Sequence, residues 1–442
     1  MPRLFGTDGV RGVANRDLTP DLALALGRAA GRVLAPTGGE VVVGRDTRVS
    51  GPMLEGAVVA GLCSAGVDVG LVGIIPSPGV AFLTVDRGAP AGAVISASHN
   101  PVTDNGIKFF SPLGFKIEGD IEDEIEAAMT SIPDGLPTGA EVGTARLIEG
   151  AGDRYLDHLS GAVDAPLAPL KVVLDCAFGA AFEIAPEAFR RAGAEVIAIN
   201  DTPDGRRINV DCGSTSLGGL GRVVVDAGAD LGIAFDGDAD RALAVDETGE
   251  VVDGDRILGM CALWFHDAGT LKNNLVVGTV MTNLGFLRAL AERGIEVLTA
   301  PVGDKYVAEM MAQHGAVIGG EQSGHIIFSD YATTGDGILT ALKVAEILAA
   351  ADEPLSSMAH FFEPYPQVLV NVPVAERGTL EETTELWDEI HRAENALGAD
   401  GRVLVRESGT EMVVRVMVEA ADETTARGTA EALAEEVRGR LG

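Results

Sequence analysis

Hydrophobic residues along this chain gather in short, nearly unbroken runs that recur in one order. Three stretches open alike, at Glu40-Val41-Val42-Val43, Lys171-Val172-Val173-Leu174 and Asn274-Leu275-Val276-Val277. Each proceeds through a small-residue turn and a helical pattern to another apolar run. Continuous β-branched runs mark strands buried on both faces, and their alternation with helices predicts α/β domains with parallel or mixed sheets. After Pro364 and Pro366 the order changes to strand, helix, two strands, helix, which predicts a smaller α+β unit. Residues 131–145 read as a surface connection, and Asp153 to Leu159 as a helix leading out of the first domain. The expected domains are therefore 1–153, 154–253, 254–365 and 366–442. The apolar region Ala57 to Val85 is cut by Asp68, Pro76, Pro78 and several glycines, so it reads as helix, strand and turn rather than a membrane span.

Composition narrows the classes. At 442 residues several domains with ample cores are expected. Hydrophobic residues are 46% of the chain but aromatics only 5%, so the cores are built from Ala, Val, Leu and Ile. A formal charge of −33 disfavours nucleic acid and anionic lipid as partners. Cys63, Cys176, Cys212 and Cys261 are far apart with no Cys-x-x-Cys pair, as expected of reduced thiols in a cytoplasmic protein. No apolar signal segment precedes Phe5.

The chemistry concentrates at strand ends, where α/β sheets bind ligands. Asp236-Gly237-Asp238-Ala239-Asp240-Arg241 follows the apolar run Leu231 to Phe235. Three carboxylates at alternate positions of a tight loop can face one hard cation, and an oxygen cage of this charge suits Mg²⁺. Asp/Gly clusters also make ordinary turns. A calcium loop would place Glu247 at its twelfth position, but its sixth needs Gly and is Arg241. Ser96-Ala97-Ser98-His99-Asn100-Pro101 follows a short buried strand, Ala93 to Ile95, and Asn105-Gly106-Ile107-Lys108 brings a turn and then a cation onto the next strand. Ser98 has no Gly-x-Ser-x-Gly elbow, so its neighbouring cations point to a phosphoryl carrier rather than a hydrolase nucleophile. Ser408-x-x-Glu411 could be a capping box, yet Met412 to Glu419 reads as a strand. With Arg406 before it and Arg415 after it, the turn reads as an anion nest.

Five motifs stand in sequence: Phe5-Gly6-Thr7-Asp8-Gly9-Val10-Arg11-Gly12, the Ser98 loop, the 236–241 loop, Gly320-Glu321-Gln322-Ser323-Gly324-His325, and Arg406-Glu407-Ser408-Gly409-Thr410-Glu411. Together they resemble the α-D-phosphohexomutases over essentially the whole chain. The resemblance implies a four-domain architecture of three similar α/β domains and a smaller α+β domain around a central cleft. It implies phosphorylation of Ser98, with Asp236, Asp238, Asp240 and the serine phosphate on one Mg²⁺ per subunit. Arg11, Lys108 and Arg241 would line the reacting phosphate, with Lys108, His99 and His325 all open as proton carriers. Glu321 and Ser323 would bind sugar hydroxyls, with Lys305 and His325 beside them. Arg406, Ser408, Gly409, Thr410 and Arg415 would hold the other phosphate. All six cations, Arg11, Lys108, Arg241, Lys305, Arg406 and Arg415, are expected to converge on the cleft.

Two positions depart from the family pattern: Lys305 stands where Arg is common, and Met412 where Pro often follows Glu411. Lys offers a point charge rather than a bidentate phosphate contact. Gln322 resembles the glucosamine branch, which implies exchange of glucosamine 6-phosphate and glucosamine 1-phosphate through a hexosamine 1,6-bisphosphate, supplying UDP-N-acetylglucosamine synthesis. A hexose or hexosamine bisphosphate would serve as activator. Action on glucose or mannose phosphates is the alternative, and a non-catalytic sugar-phosphate-binding protein is the rival of another class. Ser98 kept together with three Asp residues argues against that rival, since binding needs no phosphate carrier. The oligomeric state stays open, a homodimer included.

Overall fold

The computed structural model describes residues 3–6, 8–130, 135–376, 378–381, 383–408 and 412–442. Among these, the strands form four sheets. The first runs Val10–Val13, Asp104–Phe110, Gly92–Ile95, Glu40–Arg45, Asp68–Ile74, Ala145–Leu147 in spatial order. The second runs Val251–Val252, Ala242–Asp246, Leu231–Phe235, Lys171–Asp175, Glu195–Ile199. The third runs Glu296–Ala300, Leu275–Thr279, Ile318–Gly320, Ile326–Phe328. These three sheets are mixed, as the apolar runs predict. The fourth is antiparallel, with Val413–Ala420 between Gln367–Pro373 and Gly401–Glu407.

One device repeats in the three mixed sheets. A strand pairs in parallel on one side, and the next strand turns back antiparallel on the other. The turn between them holds Ser98 in the first sheet, Asp236 to Arg241 in the second and Glu321 to His325 in the third. The three chemical loops are thus equivalent turns, each at the end of a parallel strand that leads into an antiparallel one.

Helices cover the sheets as the sequence dictates. Pro20–Leu34 starts at Thr19, whose hydroxyl accepts from Leu22 N, with Pro at the first turn where a missing N–H costs nothing. It packs on Gly51–Ser64 through Gly27 and Gly61. A Cβ on Gly61 would lie 2.3 Å from Leu24 O, so only glycine permits the approach. The helix Ala151–Ser160 takes the place expected from Asp153 to Leu159. The region 57–85 resolves into the end of one helix, the strand Asp68–Ile74 and the helix Ser77–Asp86. No helix among the described residues is long and apolar enough to cross a membrane.

The cores divide unevenly. One cluster joins Ile75 and Tyr155 to Phe189 and Phe235 and on to Phe286 and Leu342, crossing the first three units without a break. The fourth has a separate core around Val372, Leu386, Val416 and Leu433.

Candidate active site

Ser98 has φ +53°, a left-handed conformation that a non-glycine residue keeps only when its surroundings enforce it. Arg48 supplies the enforcement. Its side chain is wholly buried, and all five guanidinium hydrogens have acceptors. Nε donates to Asp46 Oδ2 at 3.0 Å, Nη1 to the carbonyls of Pro101 (2.6 Å) and Asp104 (2.9 Å), and Nη2 to those of Ser98 and Asn100 (2.8 Å each). Asn209 Nδ2, from the second sheet's unit, donates to Ser98 O at 2.8 Å. The Ser98 turn is fixed from both sides.

The acidic loop lies directly against this turn. A Cβ on Gly237 would stand 2.6 Å from Ser98 O, so a glycine is required there. Ser98 Oγ donates to Asp236 Oδ2 and lies 3.3 Å from His99 Nδ1. Asp236, Asp238 and Asp240 are buried, and one oxygen of each lies within 4.8 Å of the others. Asp238 Oδ1 and Asp240 Oδ1 are buried with no hydrogen-bond partner among the described residues. Three hard oxygen donors, two of them unsatisfied, fit a divalent cation with oxygen preference. Burial and the charges of Asp240 and Asp238 push the Asp236 carboxyl well above its usual range. Burial acts against Asp240 too, but Lys108, His325 and Arg241 hold it well below. Burial, then Arg241 and Arg11, push His99 down to about 4.

Charges alternate around the floor of the site. Lys108 is 1% exposed, with Nζ 3.0 Å from both Asp8 and Asp238 and 3.7 Å from Asp240. Burial disfavours its charge, yet Asp238, Asp8 and Asp240 together raise its pKa. Asp8 also pairs with Arg11 and Lys116, and Lys116 pairs with Asp304. His325 closes the circuit, Nε2 3.5 Å from Asp304 and Nδ1 3.7 Å from Asp240. Gly335 N donates to His325 Nε2 at 2.9 Å, which selects the tautomer with its proton on Nδ1.

Above this floor is a cavity of about 230 Å³ to which all four units contribute. The first gives Asp8, Arg11, His99 and Lys116, and the second Asp240 and Arg241. The third gives Gly303, Asp304, Glu321 and His325, and the fourth Arg406, Ser408 and Arg415. Glu321 Oε1 accepts from Gly303 N at 3.0 Å, and Ser323 Oγ donates to Oε2 at 3.2 Å. Arg406 and Arg415 are cross-strand partners. Burial and then Arg415 lower the Arg406 pKa, the mark of two cations gathered for an anion. Gly409 and Thr410 lie outside the described residues.

Three placements differ from the sequence reading. Lys305 does not line this cavity. It borders the neighbouring groove beside Leu113 and Phe115, with Nζ 5.1 Å from the Tyr306 ring centre. The helix Asp304–His314 begins one residue earlier, so Asp304 takes the inward position and Lys116 supplies the cation. Lys108 lies beneath the floor rather than on the wall. Asn105 and Gly106 belong to the strand Asp104–Phe110, and the turn precedes them. Sequence reasoning also missed Asp46, Arg48, Ser77, Lys116, Asn209 and Asp304. A signal existed for two: Asp46 and Arg48 directly follow the strand Glu40–Arg45, at the edge where α/β ligands bind.

Sequence families for the four phosphoglucomutase/phosphomannomutase domains match in succession along the chain. Alpha/beta/alpha domains I, II and III match residues 2–135, 153–249 and 253–365, and the C-terminal domain matches 369–436. A phosphoglucosamine mutase of Streptomyces griseus is 53% identical across 100% of both chains. One of Rhodococcus opacus is 52% identical, covering 98% of this chain and 99% of its own. The crystal structure of a phosphoglucomutase/phosphomannomutase family protein from Burkholderia thailandensis superposes with a TM-score of 0.82 at 27% identity, covering 99% of this chain and 97% of that one.

Proposed function

The chain belongs to the phosphoglucomutase/phosphomannomutase family, and from that premise we propose that it is an isomerase converting glucosamine 6-phosphate to glucosamine 1-phosphate and back. The observation that carries the reading is Ser98 Oγ hydrogen-bonded to Asp236 within the carboxylate triplet, under a cavity that ends in Arg406 and Arg415. The full-length phosphoglucosamine mutase relatives support the choice of sugar.

Asp236, Asp238 and Asp240 would hold Mg²⁺, with the phosphate of phospho-Ser98 beside them. The ion would supply positive charge to the transferring oxygens. The chain's own residues do the rest. Arg48 and Asn209 fix the Ser98 turn, while Arg406, Arg415 and Ser408 hold the substrate's existing phosphate. Glu321 and Ser323 orient the sugar, with the free hydroxyl toward Ser98. The Oγ–P bond breaks as the hydroxyl oxygen bonds phosphorus, and the hydroxyl proton passes to an imidazole nitrogen of His99 or His325, since Asp238, Asp8 and Asp240 keep Lys108 protonated. Arg11 and Arg241 balance charge on the phosphoryl group. Phosphoryl transfer has a loose transition state, so positioning and charge balance carry the catalysis. The bisphosphate then turns end for end, and the opposite phosphate returns to Ser98.

Initial rates on the 6-phosphates of glucosamine, glucose and mannose, with Mg²⁺ and a hexose bisphosphate present, test the assignment. The highest kcat/KM is expected for glucosamine 6-phosphate; preference for either other sugar would overturn it.

A further inference from the structure

Asp238 is held by a residue that neither the chemistry nor the motifs of the chain single out. Ser77 opens the helix Ser77–Asp86 of the first unit and is buried, 2% exposed. Its Oγ lies 2.5 Å from Asp238 Oδ2, and its backbone N donates to Asp238 O at 2.9 Å. Lys108 Nζ donates to the same Oδ2 at 3.0 Å. Two donors therefore occupy one oxygen of this carboxylate, while Oδ1 is buried without a hydrogen-bond partner among the described residues. A carboxylate free to rotate would offer either oxygen to Lys108. With two donors on Oδ2, Oδ1 is the oxygen left free for a cation, and one oxygen each of Asp236, Asp238 and Asp240 lie within 4.8 Å of one another.

We propose that Ser77 is a positioning residue for the divalent cation: from the first unit it orients Asp238, a ligand on the second, so that Oδ1 faces the ion. This deepens the functional reading above only in assuming that the triplet binds a cation, and it holds whichever sugar is the substrate. Outer partners of ligating carboxylates change metal affinity by about 10- to 100-fold when removed. Because the donor and the ligand lie on different units, cation affinity also reports whether those units are correctly docked.

The probe is Mg²⁺ alone, titrated calorimetrically into full-length protein without substrate. Ser77→Ala is expected to weaken binding by about 10- to 100-fold. Ser77→Cys, a near-isostere with a weaker donor, should fall between Ala and wild type. Circular dichroism and the unfolding midpoint confirm that each variant is folded. An affinity within twofold of wild type in folded Ser77→Ala, even with a lowered midpoint, would show that the hydroxyl only docks the two units and would overturn the proposal. Sugar preference is unaffected by that outcome, so failure here is distinct from failure of the isomerase reading.

Discussion

The Ser98 centre and the Arg406–Arg415 loop are built in opposite ways. Around Ser98 the backbone carbonyls are tied by Arg48 and Asn209, and the supporting core runs continuously through three units. The Arg406–Arg415 pair stands on a separate sheet with its own core. That fourth unit meets the third largely through polar contacts at the far end of its strands. Glu419 is wholly buried there, accepting from Arg402 Nε, Gln367 Nε2 and Leu284 N. Arg402 Nη2 donates to Thr282 O, and Gln367 Nε2 donates to Met281 O at 3.3 Å. In the proposed reaction this difference would divide the labour: a preorganised body for the reacting phosphate, and for the other end of the substrate a unit joined through a hydrogen-bonded seam. A bisphosphate that must turn over between half-reactions requires an opening.

Removing Ser98 strikes the preorganised body hardest. Ser98→Ala is expected to reduce turnover to background and to abolish any 80 Da phosphate adduct seen by intact mass, because the carrier itself is gone. Normal turnover in that variant would end the phosphoserine account. Arg406→Ala acts on the other side of the comparison. A charge-assisted hydrogen bond to an anion contributes roughly 1.5–3 kcal/mol, so KM should rise by about 10- to 100-fold with kcat changed less. A fall in kcat at constant KM would place Arg406 in the chemical step instead. Arg402→Met loosens the seam by leaving the Glu419 carboxylate without its cation, a loss of up to about 3 kcal/mol. Hydrogen exchange should then rise in residues 367–420 while the Ser98 turn keeps its protection. Equal deprotection of both regions would show that the four units form one body.

The same contrast explains what was legible in the sequence. Strand ends bearing Ser98, Asp236 and Glu321 stood out because chemistry-bearing residues interrupt apolar runs at turns. Their shared place between a parallel and an antiparallel neighbour needed the pairing itself. Asp304 and Lys116 lie 188 positions apart, and nothing local marks either. Lys305 misled for the opposite reason: it carries the right charge, but its place on the helix Asp304–His314 sets it on the neighbouring groove. Ser77 sits between Pro76 and Pro78 in a stretch that reads as a turn, and its partner is in another unit. Charge type is readable residue by residue; which charges face one another is a property of packing.

The finest test of the seam is a titration. Asp255 is buried beside it, with Oδ2 accepting from Asn283 N at 2.9 Å. Burial, then the charges of Asp253 and Glu419, push its carboxyl up to about 7 from an ordinary value near 3.8. The folded protein therefore keeps this proton at a pH where the unfolded chain has lost it. Stability from the group is fully present below about pH 4 and is lost as pH rises through about 7. Asp255→Asn keeps an acceptor for Asn283 N and sets no charge against Asp253 or Glu419. The variant should gain on wild type in unfolding midpoint between pH 5 and pH 8, and other titrations cancel in the difference. A seam that admits water would hydrate the carboxylate and return its pKa toward 4, leaving the two midpoints separated by the same amount across that range. A constant separation would thus contradict the dry seam, while a widening one locates the fourth unit's hinge on a contact that opens only when broken.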